Sequence, residues 1–334
     1  MRKLYLLASE RSGTNLLRRE LNKHQSVYLG MSPAHLLKHL YYNEPFYGDL
    51  SSDSRFLVFI NDAIELCTTH FSPWDMQMDA ADLLKRYGGR ERGSIYFADF
   101  LMGEYAKEVG FEGYFCKDNL NFEFTNGIAN ALPDSKFIYL YRDPRDFVLS
   151  QIRRPNIPRG IMHYAHMWAY EQTKCIRSIY SLSESRRVYS LSYESFIDDP
   201  AEHIDRILKF LGINEDKDAH KYSDNIVSEV HDWKNLNKDI NQLNKGKHKA
   251  SFSDREISII ESITWKQMTY LGYKPSTQQP RPVSRFDKLL DRASVSSRRL
   301  LWALQRGNQK QPDAVKQRTK LLNRLYINYL NRGC

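Results

Sequence analysis

Two short stretches of this 334-residue chain carry groups suited to gripping anionic charge. Residues 9–14 read SERSGT, placing an arginine, hydroxyls and a glycine side by side. At the start of a helix, the unpaired N–H groups and the partial positive charge attract an anion. There Gly13 lets the backbone approach closely, Ser12 and Thr14 add hydroxyl donors, and Arg11 adds a planar fork of charged donors. The same residues also fit an ordinary capped turn, and their spacing alone leaves both readings open. Residues 142–150 read RDPRDFVLS. Arg142 would stand at the carboxyl end of a strand, where open α/β sheets bind ligands. Asp143 and Pro144 supply a helix cap and a first helical residue, so Ser150 falls about two turns into that helix. Arg142 and the aspartates could equally cap the helix and pair with each other. The first stretch lacks the second glycine and the lysine of the common nucleotide loop, and it lacks the dinucleotide fingerprint. A kinase or ATPase is thereby deprived of its usual phosphate grip and magnesium ligands.

Both stretches need a scaffold that ends a strand in a loop and then begins a helix. Residues 3–8 (KLYLLA) form an apolar run suited to a buried strand, and residues 14–23 have helical periodicity. Residues 33–110 are mostly helical in pattern, broken near Pro73 and at Gly88-Gly89. Short strands are expected at 114–117, 137–141 and 188–191, with helices near 160–182, 200–211 and 253–271. Strands alternating with helices predict an α/β fold with a mostly parallel sheet covered on both faces.

Hydrophobic residues make up 41% of the chain and aromatics 13%, enough for a sizeable core, which excludes global disorder. No run approaches ~18 apolar residues, so no membrane span is expected. The apolar run at the amino end meets Glu10 and Arg11 at once, too soon for a signal peptide. Cys67, Cys116, Cys175 and Cys334 show no disulfide or metal spacing, which points to reduced thiols and a cytoplasmic chain. His35 and His39 share the spacing of a zinc helix, but Leu36 stands where that motif needs glutamate, and His163 and His166 lack a third ligand nearby. No metal is expected. The net charge of +9 is unevenly spread: the last 54 residues hold 13 Lys/Arg against 3 Asp/Glu, leaving the main body near neutral. That argues against a nucleic-acid groove and for a basic appendage. Its boundary is the proline-rich stretch at 275–282, so the expected organisation is a domain over 1–275, a linker over 276–284 and a basic amphipathic helical tail over 285–334.

Taken together, the R-S-G-T turn after the first strand and the strand-R-D-P-R-D-x-x-x-S segment about 130 residues later closely resemble the sulfotransferases that use 3′-phosphoadenosine 5′-phosphosulfate (PAPS). Residues 116–118 (CKD), 191–196 (LSYESF), 207–212 (ILKFLG) and 268–273 (MTYLGY) also look like that family, in the right order over residues 1–275. The resemblance implies a P-loop-like parallel sheet flanked by helices and transfer of a sulfuryl group from PAPS to an acceptor hydroxyl, leaving PAP, with no metal required. It implies that Arg11, Ser12, Gly13, Thr14 and Asn15 hold the 5′-phosphosulfate, that Arg142 and Ser150 take the 3′-phosphate and that Tyr193 contacts the nucleotide. Lys245 and Gly246 loosely match a loop that closes over the nucleotide, and a solvated basic loop fits them as well. Arg11 steadies the leaving charge and Lys117 faces the sulfuryl group, with a solvated strand-end lysine as the plain alternative. Arginine at position 11 is similar to the carbohydrate and tyrosyl-protein branches, which points to a glycan acceptor.

The general base departs from the pattern. Where those branches place a glutamate, this chain has Ser32; His35 lies one helical turn on, with a reference pKa of ~6.5 suited to the task, and Asp118 is its rival. In the tail, Phe286, Leu289, Leu290, Leu300, Leu301 and Leu304, then Val315, Leu322, Leu325, Tyr326 and Tyr329, recur at near-helical spacing among basic residues. Such helices suit an anionic membrane, a homo-oligomer arm or packing on the chain's own body. The reading from a different functional class is a non-catalytic nucleotide- or membrane-binding protein on a degenerate version of the same fold.

Overall fold

The computed structural model describes residues 1–70, 72–154, 158–214, 243–306 and 313–332; Cys334 and the Tyr329 side chain lie outside the described parts. Its centre is a parallel sheet in the order β2-β3-β1-β4-β5, built from β1 (Arg2–Ala8), β2 (Tyr28–Gly30), β3 (Gly113–Cys116), β4 (Lys136–Tyr141) and β5 (Val188–Ser192). The middle strand β1 pairs with β3 on one side and β4 on the other, with Tyr5 opposite both Cys116 and Phe137. Its side chains alternate. Tyr5 and Leu7 enter one core, while Leu4, Leu6 and Ala8 enter the core on the opposite face. A strand buried on both faces needs an unbroken apolar run, which is why KLYLLA could be read as one.

On the Tyr5 face pack α2 (Leu36–Asn43), α3 (Asp53–Thr68), α4 (Ala80–Tyr87), α5 (Ser94–Glu108) and α6 (Asn121–Ala131). On the other face lie α1 (Thr14–His24), α9 (Tyr193–Asp198) and α10 (Pro200–Leu211). A third core joins α7 (Pro144–Ile152), α8 (Ile161–Ser181) and α11 (Asp254–Tyr270) around Phe147, Trp168, Ile260 and Met268. The expected strands and helices stand within a residue or two of their predicted places. Three further elements carry weak sequence signals. β2 has only three residues and is held by side chains: Gln25 clasps the N–H and C=O of Tyr28, and Arg18 donates to the Gly30 carbonyl at 3.0 Å. α6 starts without a side-chain cap, from Leu120 in the left-handed region (φ 72°). α9 is six residues long.

The basic extension forms α12 (Arg285–Arg306) and α13 (Asp313–Arg332). Asp287 of α12 is buried and accepts hydrogen bonds from Arg255, Arg281 and Ser284. Asp291 accepts from the N–H of Ile161 at 2.9 Å, capping the start of α8. α13 returns to the body, burying Leu321 and Leu325 in the Tyr5-side core. No helix among the described residues is long and apolar enough to cross a membrane.

Candidate active site

The loops that leave β1, β3, β4 and β5 all open at the carboxyl edge of the sheet, on either side of the central strand where the strand order reverses, the usual ligand position of such sheets. They carry Ser9–Gly13, Lys117-Asp118, Arg142 and Tyr193, so residues separated by up to about 180 positions meet at one edge.

One half of this edge is a cationic cradle. Arg11 adopts a left-handed backbone (φ 64°) and its Nε donates to Ser150 Oγ at 3.1 Å. Arg142 donates from Nη1 to the Arg11 carbonyl at 2.8 Å and from Nη2 to the Asn244 carbonyl at 2.9 Å. Its guanidinium carbon lies 4.4 Å from the centre of the Tyr193 ring, a cation–π contact. Asn244 Nδ2 donates to the Tyr193 hydroxyl at 2.7 Å. Gly13 is also left-handed (φ 89°), and a Cβ there would overlap the Tyr193 ring. The glycine is thus required twice, by conformation and by close approach. Ser12 Oγ and Arg142 Nε are buried and have no hydrogen-bond partner among the described residues, as is Asn15 Oδ1. Buried polar groups are ordinarily satisfied, so the two donors among these atoms, Ser12 Oγ and Arg142 Nε, fit a cradle that completes its bonds with an anionic ligand, whereas Asn15 Oδ1 is an acceptor and does not. Thr14 is buried as the first residue of α1.

The supports of this half tie the second stretch to distant segments of the chain. Arg145 pairs with Asp143 at 2.6 Å and with Glu261 at 2.8 Å, fixing the start of α7. Glu194 accepts from the Asp143 N–H at 3.1 Å and from Tyr273 Oη at 2.6 Å. Trp168 Nε1 holds the Arg142 carbonyl at 3.1 Å. Asp146 receives the N–H groups of Gly246 (2.5 Å) and His248 (2.9 Å), and lies 2.9 Å from His248 Nδ1. Burial works to raise the Asp146 pKa, but the hydrogen bonds from His248 outweigh it and hold the carboxyl below its usual range. Asp146 stood in the RDPRD motif and His248 in the basic run at 244–249; that they clasp each other was not readable from either. Lys245 turns its ammonium to Asp198, so it is the Asn244 carbonyl, beside the predicted Lys245-Gly246 pair, that reaches Arg142.

The other half collects titratable groups. Lys117 and Asp118 follow β3 and are buried. Asp118 Oδ2 accepts the N–H of Leu36 at 3.0 Å, capping the start of α2. His35 precedes that helix with a left-handed backbone (φ 54°) and is half-buried. Burial lowers its pKa most; Asp118 works to raise it and Arg318 to lower it. The His70 ring stands 6.4 Å away, edge to face. Burial, followed by Arg318, brings both His70 and His39 to about 3. Ser32, three residues before His35, donates to the Ser72 carbonyl at 2.8 Å. Glu10 joins the halves, accepting from Asn119 at 2.8 Å and Arg154 at 2.6 Å. Behind it Glu171 is buried, with Oε2 unpartnered among the described residues, and burial raises its pKa to about 7. Nothing in the α8 sequence marks Glu171. Among the described residues no cluster of His, Cys, Asp or Glu is arranged to hold a metal.

Comparison with known proteins matches this architecture. A profile described as the sulfotransferase family covers residues 4–218. Among solved structures, the chain is similar to the sulfotransferase domain from the curacin biosynthetic pathway, at 19% identity and a TM-score of 0.56 over 82% of this chain and 98% of that one. It is similar also to the sulfotransferase domain of the Synechococcus PCC 7002 olefin synthase, at 17% identity and a TM-score of 0.55 over 82% and 95% of the respective chains. At these identities the likeness is one of fold. No curated protein sequence matches the chain.

Proposed function

The chain belongs to the PAPS-dependent sulfotransferase family, and on that premise we propose that it transfers a sulfuryl group to a hydroxyl on a carbohydrate or glycan precursor. The observation that supports sulfuryl transfer is the convergence of Arg11, Gly13, Arg142, Ser150 and Tyr193 on one cradle where Ser12 Oγ and Arg142 Nε are buried without a partner among the described residues; the carbohydrate acceptor rests on the arginine at position 11. In this reading PAPS, when bound, supplies the activated sulfuryl group. Arg142 and Ser150 hold the 3′-phosphate, and residues 11–15 hold the 5′-phosphosulfate. Tyr193 packs against both Gly13 and Arg142, so it orients the two grips relative to each other. Arg11 steadies the charge that develops on the leaving oxygen and Lys117 faces the sulfuryl group, where fixed cations act most strongly. His35 takes the acceptor proton, in the neutral form that burial favours. Asp118 already caps α2, which suits it to placing His35 more than to replacing it.

In this reading residues 1–275 form the catalytic unit and 285–334 an extension beyond the 276–284 linker. α12 exposes Phe286, Leu289, Leu290, Leu300, Leu301 and Leu304 beside Arg285, Lys288, Arg292, Arg298 and Arg299. An exposed apolar row flanked by arginines suits an anionic leaflet, which would place a cytoplasmic enzyme beside a lipid-borne acceptor.

The test is transfer of sulfur-labelled PAPS to a panel of oligosaccharides, lipid-linked sugars and small alcohols, with PAP binding followed by calorimetry in chelator. Labelled product on the sugars is expected. PAP binding with label only on small alcohols would overturn the acceptor, and PAP binding with no transfer to any acceptor would leave a non-catalytic binder. For α12, sedimentation with phosphatidylserine vesicles at low salt and release at high salt is expected. Salt-dependent dimerisation without vesicle binding would assign the row to a second copy.

A further inference from the structure

The last helix enters the acceptor half of the site from behind. Arg318 of α13 is buried, and its guanidinium ends on backbone carbonyls. Nη1 donates to Leu66 at 2.6 Å and Thr69 at 3.2 Å, and Nη2 donates to Ala34 at 2.6 Å. Ala34 is the residue before His35, whose left-handed backbone (φ 54°) persists only where its surroundings impose it. Leu66 and Thr69 close α3, whose carboxyl end carries partial negative charge that favours a cation. Leu321 and Leu325 pack beside Arg318, and Arg324 reaches Asp62 at 3.2 Å and also Glu65, so the arginine is delivered by a docked helix. No carboxylate is bonded to Arg318 among the described residues. Neutral donors would satisfy three carbonyls; a full charge does something more, because it sets the field felt by His35, His39, His70 and Asp118.

We infer that Arg318 is a positioning residue for the acceptor half of the site: it fixes the Ala34–His35 turn through the Ala34 carbonyl and sets a positive charge beside the imidazole. The inference rests on the reading of His35 as the base. Its consequence is that the tail, the most appendage-like part of the sequence, serves the acceptor chemistry and leaves the nucleotide cradle alone. The charged groups that face His35 divide by sign. Asp118 after β3 and Glu10 from the first loop favour the imidazolium; Arg318 from α13 and Lys38 from α2 oppose it, with burial the largest influence against it. His39 and His70 are neutral at working pH, since both titrate at about 3. Removing Arg318 therefore moves the His35 titration upward and cuts the fraction of neutral base near and below neutrality.

The experiment uses the full chain. The His35 imidazole is titrated by NMR, which needs no acceptor, and PAP affinity and the pH profile of turnover are measured beside it. In the unaltered protein His35 is expected to titrate below the reference value of ~6.5; a value at or above it overturns the inference without any variant. In Arg318→Met, His35 should titrate at a higher pH than in the unaltered protein, the acid limb of turnover should move up with it, and PAP affinity should stay within about twofold. Arg318→Lys keeps the charge but not the fork, so its titration should stay near that of the unaltered protein. A folded, PAP-binding Arg318→Met protein with an unmoved His35 titration overturns the inference. So does equal loss of turnover and PAP affinity in both variants, which would mark a merely structural arginine. If turnover is absent with every acceptor while the titration moves as expected, the fault lies with the functional reading and the field of Arg318 on His35 stands.

Discussion

The two halves of the site are assembled in opposite ways. The nucleotide cradle is built from strand–loop–helix units whose key residues are neighbours in the chain: Arg11 to Thr14 after β1, and Arg142 to Ser150 after β4. The acceptor half draws on Glu10, His35, His70, the Lys117-Asp118 pair and Arg318, from five separate stretches of the chain. The cradle consists of permanent cations, hydroxyls and backbone groups that need no particular pH. The acceptor half gathers titratable groups, among which burial lowers His35 and His70 from their ordinary values. The division matches the two tasks: binding a nucleotide common to a family requires fixed donors in fixed places, whereas taking a proton from one acceptor requires a tuned group.

The largest expected effect tests whether the halves are separable. His35→Ala should lower turnover by roughly 10²–10⁴ while PAP affinity, read by calorimetry, hardly changes. Loss of both together would show that the halves are one unit. Near-normal turnover in His35→Ala, with Asp118→Asn inactive, would move the base to Asp118.

A second effect, of similar size, lies on the seam. Glu171, behind Glu10, is raised by burial from its ordinary 4.5 to about 7. The folded protein therefore keeps a proton that the unfolded chain gives up. The stabilisation is complete below the unfolded value and is lost as pH rises through the folded one, amounting to about 3 kcal/mol between pH 4.5 and 7. Glu171→Gln should flatten that part of the stability curve and leave the variant more stable than the parent at pH 8, as measured by urea unfolding at several pH values. An unchanged slope would mean that the carboxyl is solvated in solution.

How much could be read in advance follows from the same contrast. The cradle was legible because its chemistry and its local structure coincide: an apolar run, a glycine at a forced left-handed turn, a proline at a helix start. Even there the supports were hidden, since the Asp146–His248 clasp spans 102 positions and the Asn244 carbonyl acts through backbone. The acceptor half offered a histidine at a plausible distance from Arg11 and the Lys117-Asp118 pair, without a motif to bring them together. Arg318 read as one more charge in a basic amphipathic tail, because periodicity marks which face of a helix is apolar and says nothing about a guanidinium reaching carbonyls 284 residues away.

Within the cradle the arginine should dominate. In the proposed function Arg142→Ala removes a charge-assisted contact to the 3′-phosphate along with the Tyr193 cation–π pair, and should weaken PAP binding by about 1.5–3 kcal/mol, with the acceptor-side pH profile unmoved. Calorimetry at two salt concentrations checks it, because a lost phosphate contact also lowers the salt sensitivity. Unchanged affinity would remove Arg142 from the site.

The smallest effect is the most discriminating. Ser150 Oγ accepts from Arg11 Nε at 3.1 Å, and this bond ties the β1 loop to α7 across 139 positions. Ser150→Ala removes a neutral hydroxyl from a part-buried contact and leaves no buried charge alone, because Arg11 makes other interactions. The expected loss of PAP affinity is about 0.5–1.5 kcal/mol, the ordinary net value of one hydrogen bond. Arg11→Ala should cost more, since it removes a cation as well. The informative quantity is how the two losses combine. If Ser150 acts on the 3′-phosphate independently of Arg11, the double variant should show their sum within about 0.5 kcal/mol. If Ser150 serves mainly to aim Arg11, the second substitution should cost almost nothing after the first. The two grips are joined by Tyr193, by the Arg142 bond to the Arg11 carbonyl and by the Ser150–Arg11 bond, which predicts partial coupling, with a double-variant loss smaller than the sum and larger than either part. Full additivity would mean that the β1 loop and α7 bind their phosphates separately, and the contrast between a unified cradle and a dispersed acceptor half would fail.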